Sequence, residues 1–224
     1  MIHPFLFLDW LADLVNLHVG EHVLYAWLAM ALLIVLAFAA GRNLKMAPQG
    51  LQNLMEVVVG AILDLMDQIM GPKGRGYLPL IATLALFILT CNLLGLVPSC
   101  FPATANVNTN LAMAATVVVL SHIVGFKEHG LHYLKHFVGP VWWLAPIMIP
   151  IEVIGHIARL VSLTLRLFGN MFGKEVVLMI FLTLVPFLLP VPMMLLGLLI
   201  AFIQTFVFTL LAMIYLAGAL EEQH

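Results

Sequence analysis

The sequence predicts an all-α integral membrane protein with five to six membrane-embedded helices, an amphipathic interfacial helix and a long tilted helical hairpin at the C-terminal end. Three observations carry that expectation. Of 224 residues, 63% are hydrophobic and only 9% charged, whereas about a quarter of the residues of a soluble domain are charged. The apolar residues come in continuous runs near the roughly 20 residues a spanning helix needs, without the alternation of a membrane barrel. The few charges gather at the ends of these runs, except in the last third of the chain. A net charge of -2 leaves no basic excess for nucleic acid. Cys91 and Cys100 are too few for a disulfide framework, and no internal repeat of roughly 20 to 50 residues is present.

The elements follow in order. Residues 1–21 hold no Lys or Arg, the first basic residue being Arg42. That stretch lacks the basic start of a cleavable leader and is expected to remain as a short tail on the outer side. Residues 22–141 are expected to carry the first three membrane helices. His22 to Ala40 forms the first, and Arg42 and Lys45 behind it favour the cytoplasmic side. From 49 to 70, Leu51, Leu54, Met55, Val58, Ile62, Leu65 and Ile69 recur at helical spacing, with Glu56, Asp64 and Asp67 elsewhere. This pattern predicts an amphipathic helix lying on or dipping into the interface.

A basic turn, Gly71 to Gly76, leads into the second span, Leu78 to Val97, interrupted only by Thr90, Cys91 and Asn92. The loop from Pro98 to Thr109 carries no charge and suits the translocated side. In it Asn106 and Asn108 are expected to cap the turn into the third span, Asn110 to Phe126. Arg42, Lys45, Lys73, Arg75, Lys127 and Lys135 account for six of the nine basic residues and fall in loops expected to be cytoplasmic. The expected outer loops hold none, so the positive-inside rule sets the topology, with the N-terminus outside and the C-terminus inside.

Residues 142–224 are expected to form the hairpin. An apolar stretch from Trp142 to Val185 is longer than a perpendicular span requires, which predicts a tilted or obliquely entering helix. Pro186, Pro190 and Pro192 force a turn, and a last run extends from Met193 to Gly218. The first of these runs holds the remaining charges. At about 100° per residue, Glu152, Arg159, Arg166 and Asn170 fall within about 40° of one another, with His156 and Lys174 at the edge of the stripe. An Arg at the centre of a membrane helix costs about 2.5 to 3.5 kcal/mol even on lenient scales, so Arg166 is expected to be functional. A guanidinium stays protonated at physiological pH, so its role is electrostatic. In-chain neutralisation is a poor explanation. Glu152 is about 21 Å away along a regular helix, and Glu175 projects from nearly the opposite face.

The string Ser162-Leu-Thr-Leu-Arg-Leu-Phe-Gly-Asn-Met171, with Glu175, Gln204 and Tyr215 beyond it and Pro102-Ala-Thr-Ala-Asn-Val-Asn108 before the third span, resembles the subunit a family of F-type ATP synthases. The resemblance covers most of the chain. It implies a non-catalytic membrane subunit without a cofactor, standing in a bacterial inner membrane beside a rotating c-subunit ring and the b-subunit peripheral stalk. It also implies two half-channels that lead ions to a carboxylate on the ring. Arg166 would then be the stator arginine, and Asn170, Glu175 and Gln204 would line or adjoin the ion path. Glu152 and Arg159 would belong to the inner side of the hairpin, and Tyr215 to its last helix. Where some relatives carry a small residue before the outer Glu and a His in the last helix, this chain has Lys174 and Gly197. Lys174 is expected to replace that imidazole as a polar or titrating wall. A hydrogen bond between Arg166 and Gln204 would orient the guanidinium.

Other readings are weaker. A secondary ion transporter or antiporter would show two related halves. An intramembrane enzyme would need a nucleophile with its base, or a metal set, and no such motif appears. His129, His132 and His136 share one side of a helix but lack a fourth ligand, so an interfacial amphipathic segment accounts for them better than a metal. The segment Gly71 to Gly76 lacks the spacing of a phosphate-binding loop.

Overall fold

The computed structural model describes residues 20–42, 45–46, 48–97, 100–130, 145–184 and 190–220. The expected outer tail up to residue 19, His132, His136 and Pro186 lie outside them. The described residues form six α-helices and two short 3₁₀ segments, with no strand among them. Five helical segments are long and apolar enough to cross a membrane, in agreement with the five to six expected.

Helix α1, Glu21–Gly41, has 21 residues, about 31 Å of helix against a hydrocarbon core of about 30 Å. It buries only Tyr25 and Ala29. Ile34, Val35 and Phe38 remain at least 64% exposed, which suits lipid, where apolar surface carries no penalty. Helix α2, Leu51–Met70, lies between two glycines in left-handed conformations, Gly50 and Gly71, positions a side chain would strain. Its entry is tied by Gln52, which accepts from the Lys45 amide at 3.1 Å and donates to the Lys45 carbonyl and Glu56.

The apolar stripe predicted for α2 divides. Ile62, Leu65 and Ile69 pack with buried Met66 and Met70 against the core, while Leu54 is 58% exposed. Among the described residues no helix covers Leu54, and the periodicity of one stretch of sequence carries no information about where neighbours end.

After Gly71 the chain makes a 3₁₀ segment, Pro72–Tyr77, rather than an open turn. Arg75 donates two hydrogen bonds to Asp67, both at 2.8 Å. These bonds hold the Asp67 carboxyl below its usual range. Helix α3, Leu78–Leu94, follows. Thr83 and Thr90 donate their hydroxyls to the carbonyls of Pro79 and Leu86, so neither is left unsatisfied in an apolar setting. A second 3₁₀ segment, Ala103–Ala105, precedes α4, Val107–His129. Asn106 caps α4 by accepting from the Asn108 amide at 2.9 Å, as expected. The helix is longer than the span read from the sequence, because hydrogen bonding continues through polar ends that hydropathy discounts.

The hairpin consists of α5, Ala145–Leu184, with 40 residues, and α6, Pro190–Leu220, with 31. At 1.5 Å per residue α5 is about 60 Å long, roughly twice the hydrocarbon thickness. The core lies where α3, α4, α5, α6 and the end of α2 meet, around Ile88, Val117, Leu163, Leu167, Met171, Phe208 and Leu216. Leu163, Leu167 and Met171 recur every four residues and form the buried seam of α5. The polar stripe runs beside that seam, with Arg166 about 100° from Leu167 around the axis.

Candidate functional site

Arg166 is exposed on α5. Its Nη2 lies 3.4 Å from Ser162 Oγ, one turn back. No carboxylate among the described residues lies within 4 Å of it. Around it the surface of the hairpin is apolar, with Leu165, Phe172, Phe202, Ile203 and Phe206 each at least 42% exposed.

One turn along α5, Asn170 Nδ2 donates to Gln204 Oε1 on α6 at 2.7 Å. Gln204 is buried, and its Nε2 has no partner. The expected bond between Arg166 and Gln204 is absent. The amide oxygen is taken by Asn170, whose shorter side chain holds the two helices together directly.

One further turn on, Lys174 is buried and directs its Nζ toward the Gly95 carbonyl at the end of α3, 3.4 Å away. Its stem crosses α6 at Gly197, where an added Cβ would come within 2.9 Å of Lys174 Cδ. Gly197 thus supplies the room that Lys174 fills. Asn170, Lys174, Gly197, Leu196 and Ile200 are among the residues around a cavity of about 180 Å³, large enough for several waters. Glu175, next in sequence, keeps Oε2 buried without a hydrogen-bond partner.

Toward the other end of the stripe, Arg159 lies over the Tyr215 ring, 5.4 Å from its centroid. Glu152 Oε1 is 3.3 Å from His156 Nε2, and the His156 ring meets His122 of α4 edge to face at 4.5 Å. The site residues expected from sequence therefore fall into separate groups: Asn170 with Gln204, Lys174 with the two glycines, Arg159 with Tyr215, and Glu152 with His156. Arg166 stands between them.

Sequence reasoning missed two groups. His122 is the lone titratable residue between Val107 and Phe126, and that solitude in an apolar run was the available signal. The second is a buried polar chain. Thr104 donates to Asn92 Oδ1 at 2.7 Å, Asn92 Nδ2 faces the Ala201 carbonyl and Thr205, and Asn110 donates to the Thr104 carbonyl at 2.7 Å. It clamps the Ala103–Ala105 segment between α3, α4 and α6, beside Gln204.

A bundle with five helical segments apolar and long enough to cross a membrane, and with Arg159 and Arg166 both exposed on one polar stripe of its 40-residue helix, defines a multi-pass membrane protein. Residues 23–217 match the family model described as ATP synthase A chain. The chain belongs to that family, the proton-channel subunit of the F0 sector of ATP synthase. It is 62% identical to "ATP synthase subunit a 1" of Syntrophotalea carbinolica, 57% to "ATP synthase subunit a" of Trichlorobacter lovleyi and 56% to "ATP synthase subunit a" of Geobacter sulfurreducens, in each case over 100% of both chains. It is accordingly a membrane subunit of a larger complex, and the secondary-transporter reading is not favoured.

Proposed function

We propose that the chain forms two ion half-channels beside a rotating c-subunit ring, with Arg166 facing the ring's carboxylate, and couples proton passage to ATP synthesis without itself catalysing it. The observation that carries this reading is Arg166 itself, exposed on an apolar helix surface with no carboxylate among the described residues within 4 Å of it. A fixed cation there favours the ionised form of a passing carboxylate. Unit charges about 4 Å apart interact by roughly 4 kcal/mol at an effective dielectric near 20. The same charge repels a proton moving straight from one half-channel to the other.

Glu175, Asn170, Gln204 and Lys174 belong to the outer half-channel in this reading, supported by the cavity between Asn170, Lys174 and Gly197. Lys174 fills the place of the absent imidazole. Glu152, Arg159 and Tyr215 belong to the inner side. The distribution of Lys and Arg supports an outer N-terminus and a cytoplasmic C-terminus. The bacterial relatives support the inner membrane as the location, and the c ring and the b-subunit stalk are the partners. The test is Arg166→Ala in the assembled synthase. Loss of proton-driven ATP synthesis with the complex intact is expected, and normal synthesis would overturn the reading.

A further inference from the structure

We propose that His122, His156 and Glu152 form a proton-exchange group in the inner half-channel, where protons enter or leave the polar stripe before reaching the level of Arg166. The proposal rests on the half-channel reading above. It joins two helices: His122 comes from α4, and Glu152 and His156 from α5.

The three side chains are in contact. The imidazole centroids are 4.5 Å apart with an interplanar angle of 71°, and His156 Nε2 is 3.3 Å from Glu152 Oε1. The His156 and Glu152 side chains are 16% and 23% exposed, and His122 is half-buried, so the group is shielded yet open to water. Glu152 and His156 also lie on the α5 face that carries Arg159, Arg166 and Asn170, within about 80° around the axis. His156 precedes Arg166 by ten residues, about 15 Å of helix.

The chemistry suits a single mobile proton. Imidazole is the side chain whose ordinary titration falls nearest neutral pH. Glu152 Oε1, 3.3 Å from His156 Nε2, is placed to accept from a protonated ring. A second imidazolium would face the first at 4.5 Å, and Arg159 lies on the same α5 face. Among the described residues, the surrounding elements add little. Helix α4 carries Lys127, Glu128 and His129 only in its last turn, α6 offers Tyr215, already under Arg159, and the Ala103–Ala105 segment has no titratable group. Arg159 and Arg166 retain their protons and cannot exchange them, whereas the imidazoles can accept a proton at one nitrogen and release it from the other. The competing explanation is mechanical: the ring pair simply ties α4 to α5.

The two explanations part in the intact ATP synthase reconstituted in vesicles with the ATP-hydrolysing side outward. ATP-driven proton pumping is compared between the parent and the His122→Gln/His156→Gln variant at matched external pH, with and without added imidazole. A relay predicts a several-fold deficit relative to the parent that widens as external pH rises from about 6 to about 8.5, through the imidazole range, and is relieved by imidazole. A deficit of constant ratio that imidazole leaves unchanged, or no deficit at all, would overturn the proposal. If the double variant fails to assemble, the single variants His122→Gln and His156→Gln are read by the same two criteria. Arg166→Ala is measured alongside: pumping by that variant would sink the half-channel reading itself, whatever the histidine variants do.

Discussion

Asn170 and Gln204 are hydrogen-bonded across the hairpin at 2.7 Å, one helical turn from Arg166. The bond fixes the register of α6 against α5 where the arginine is presented. It also explains why Gln204, buried and lacking a partner for its Nε2, points along the polar stripe rather than into lipid.

Because the bond joins two neutral amides in an apolar setting, its contribution is modest, about 0.6 kcal/mol on average for such interhelical bonds and up to about 1.7. Asn170→Leu and Gln204→Leu are each expected to lower proton-driven ATP synthesis while the complex still assembles. The double variant is expected to fall less than the two single effects added together, since the same bond is removed only once. Strict additivity in a double-mutant cycle would show that the residues act apart.

The buried chain through Asn92 and Thr104 is more sensitive. Removing the Asn92 amide leaves the Thr104 hydroxyl and the Asn110-bound loop without their anchor, and an orphaned buried polar group costs about 1 to 3 kcal/mol. Asn92→Leu is therefore expected to lower the thermal stability of the isolated subunit complex and to loosen Cys100, the neighbouring loop thiol, toward membrane-impermeant maleimide. Unchanged labelling would show that the Ala103–Ala105 segment is held by packing alone.

How much of this was legible in the sequence depended on range. The helices follow from apolar runs and prolines, and Arg166 from the cost of one charge inside such a run. The Asn106 cap is local too. The clamp between Asn92, Thr104 and Thr205 is not. It joins residues up to 113 positions apart, and the polar interruption at Asn92 does not say which partners it meets. The exchange of Lys174 for the imidazole missing at Gly197 is legible through the family resemblance alone, but the direct contact of the lysine stem with that glycine belongs to the packing of α5 on α6. Periodicity put Leu54 of α2 on the apolar face with Ile62, Leu65 and Ile69, but helical phase does not tell how far along that face a neighbour extends.

The Arg75–Asp67 pair pins the turn after α2 at its surface. Its sign with pH follows from Asp67, whose folded-state carboxyl titrates below its ordinary value of 3.8. Any stabilisation is present above 3.8 and is lost as the pH falls through the lower folded-state value. Exposed pairs contribute little and are screened by salt. Asp67→Asn is expected to make the Gly71–Tyr77 segment slightly more susceptible to trypsin at neutral pH and low salt, with parent and variant converging in high salt and in acid. A difference that persisted at high salt would mean that Asp67 acts through something other than its charge.

Lys174 and Gly197 act as one unit, because the lysine stem occupies the space beside the glycine. Overpacking a full interior typically costs about 1 to 3 kcal/mol, so Gly197→Leu is expected to displace Lys174 from the Gly95 carbonyl and depress both assembly and ATP synthesis. Adding Lys174→Gly should restore assembly, since it empties the space the new side chain needs. It should not fully restore proton-driven synthesis, because the polar wall of the adjoining cavity is then gone. Lys174→Ala alone separates packing from chemistry: it leaves Gly197 unhindered and removes only the ammonium and its stem. That variant is expected to lower synthesis and to alter its dependence on outer pH between about 6 and 9, the range over which a titrating or polar group on the path shapes the rate. An unchanged rate and profile in Lys174→Ala would leave the lysine as a space-filling residue and assign the outer half-channel to Glu175, Asn170 and Gln204 without it.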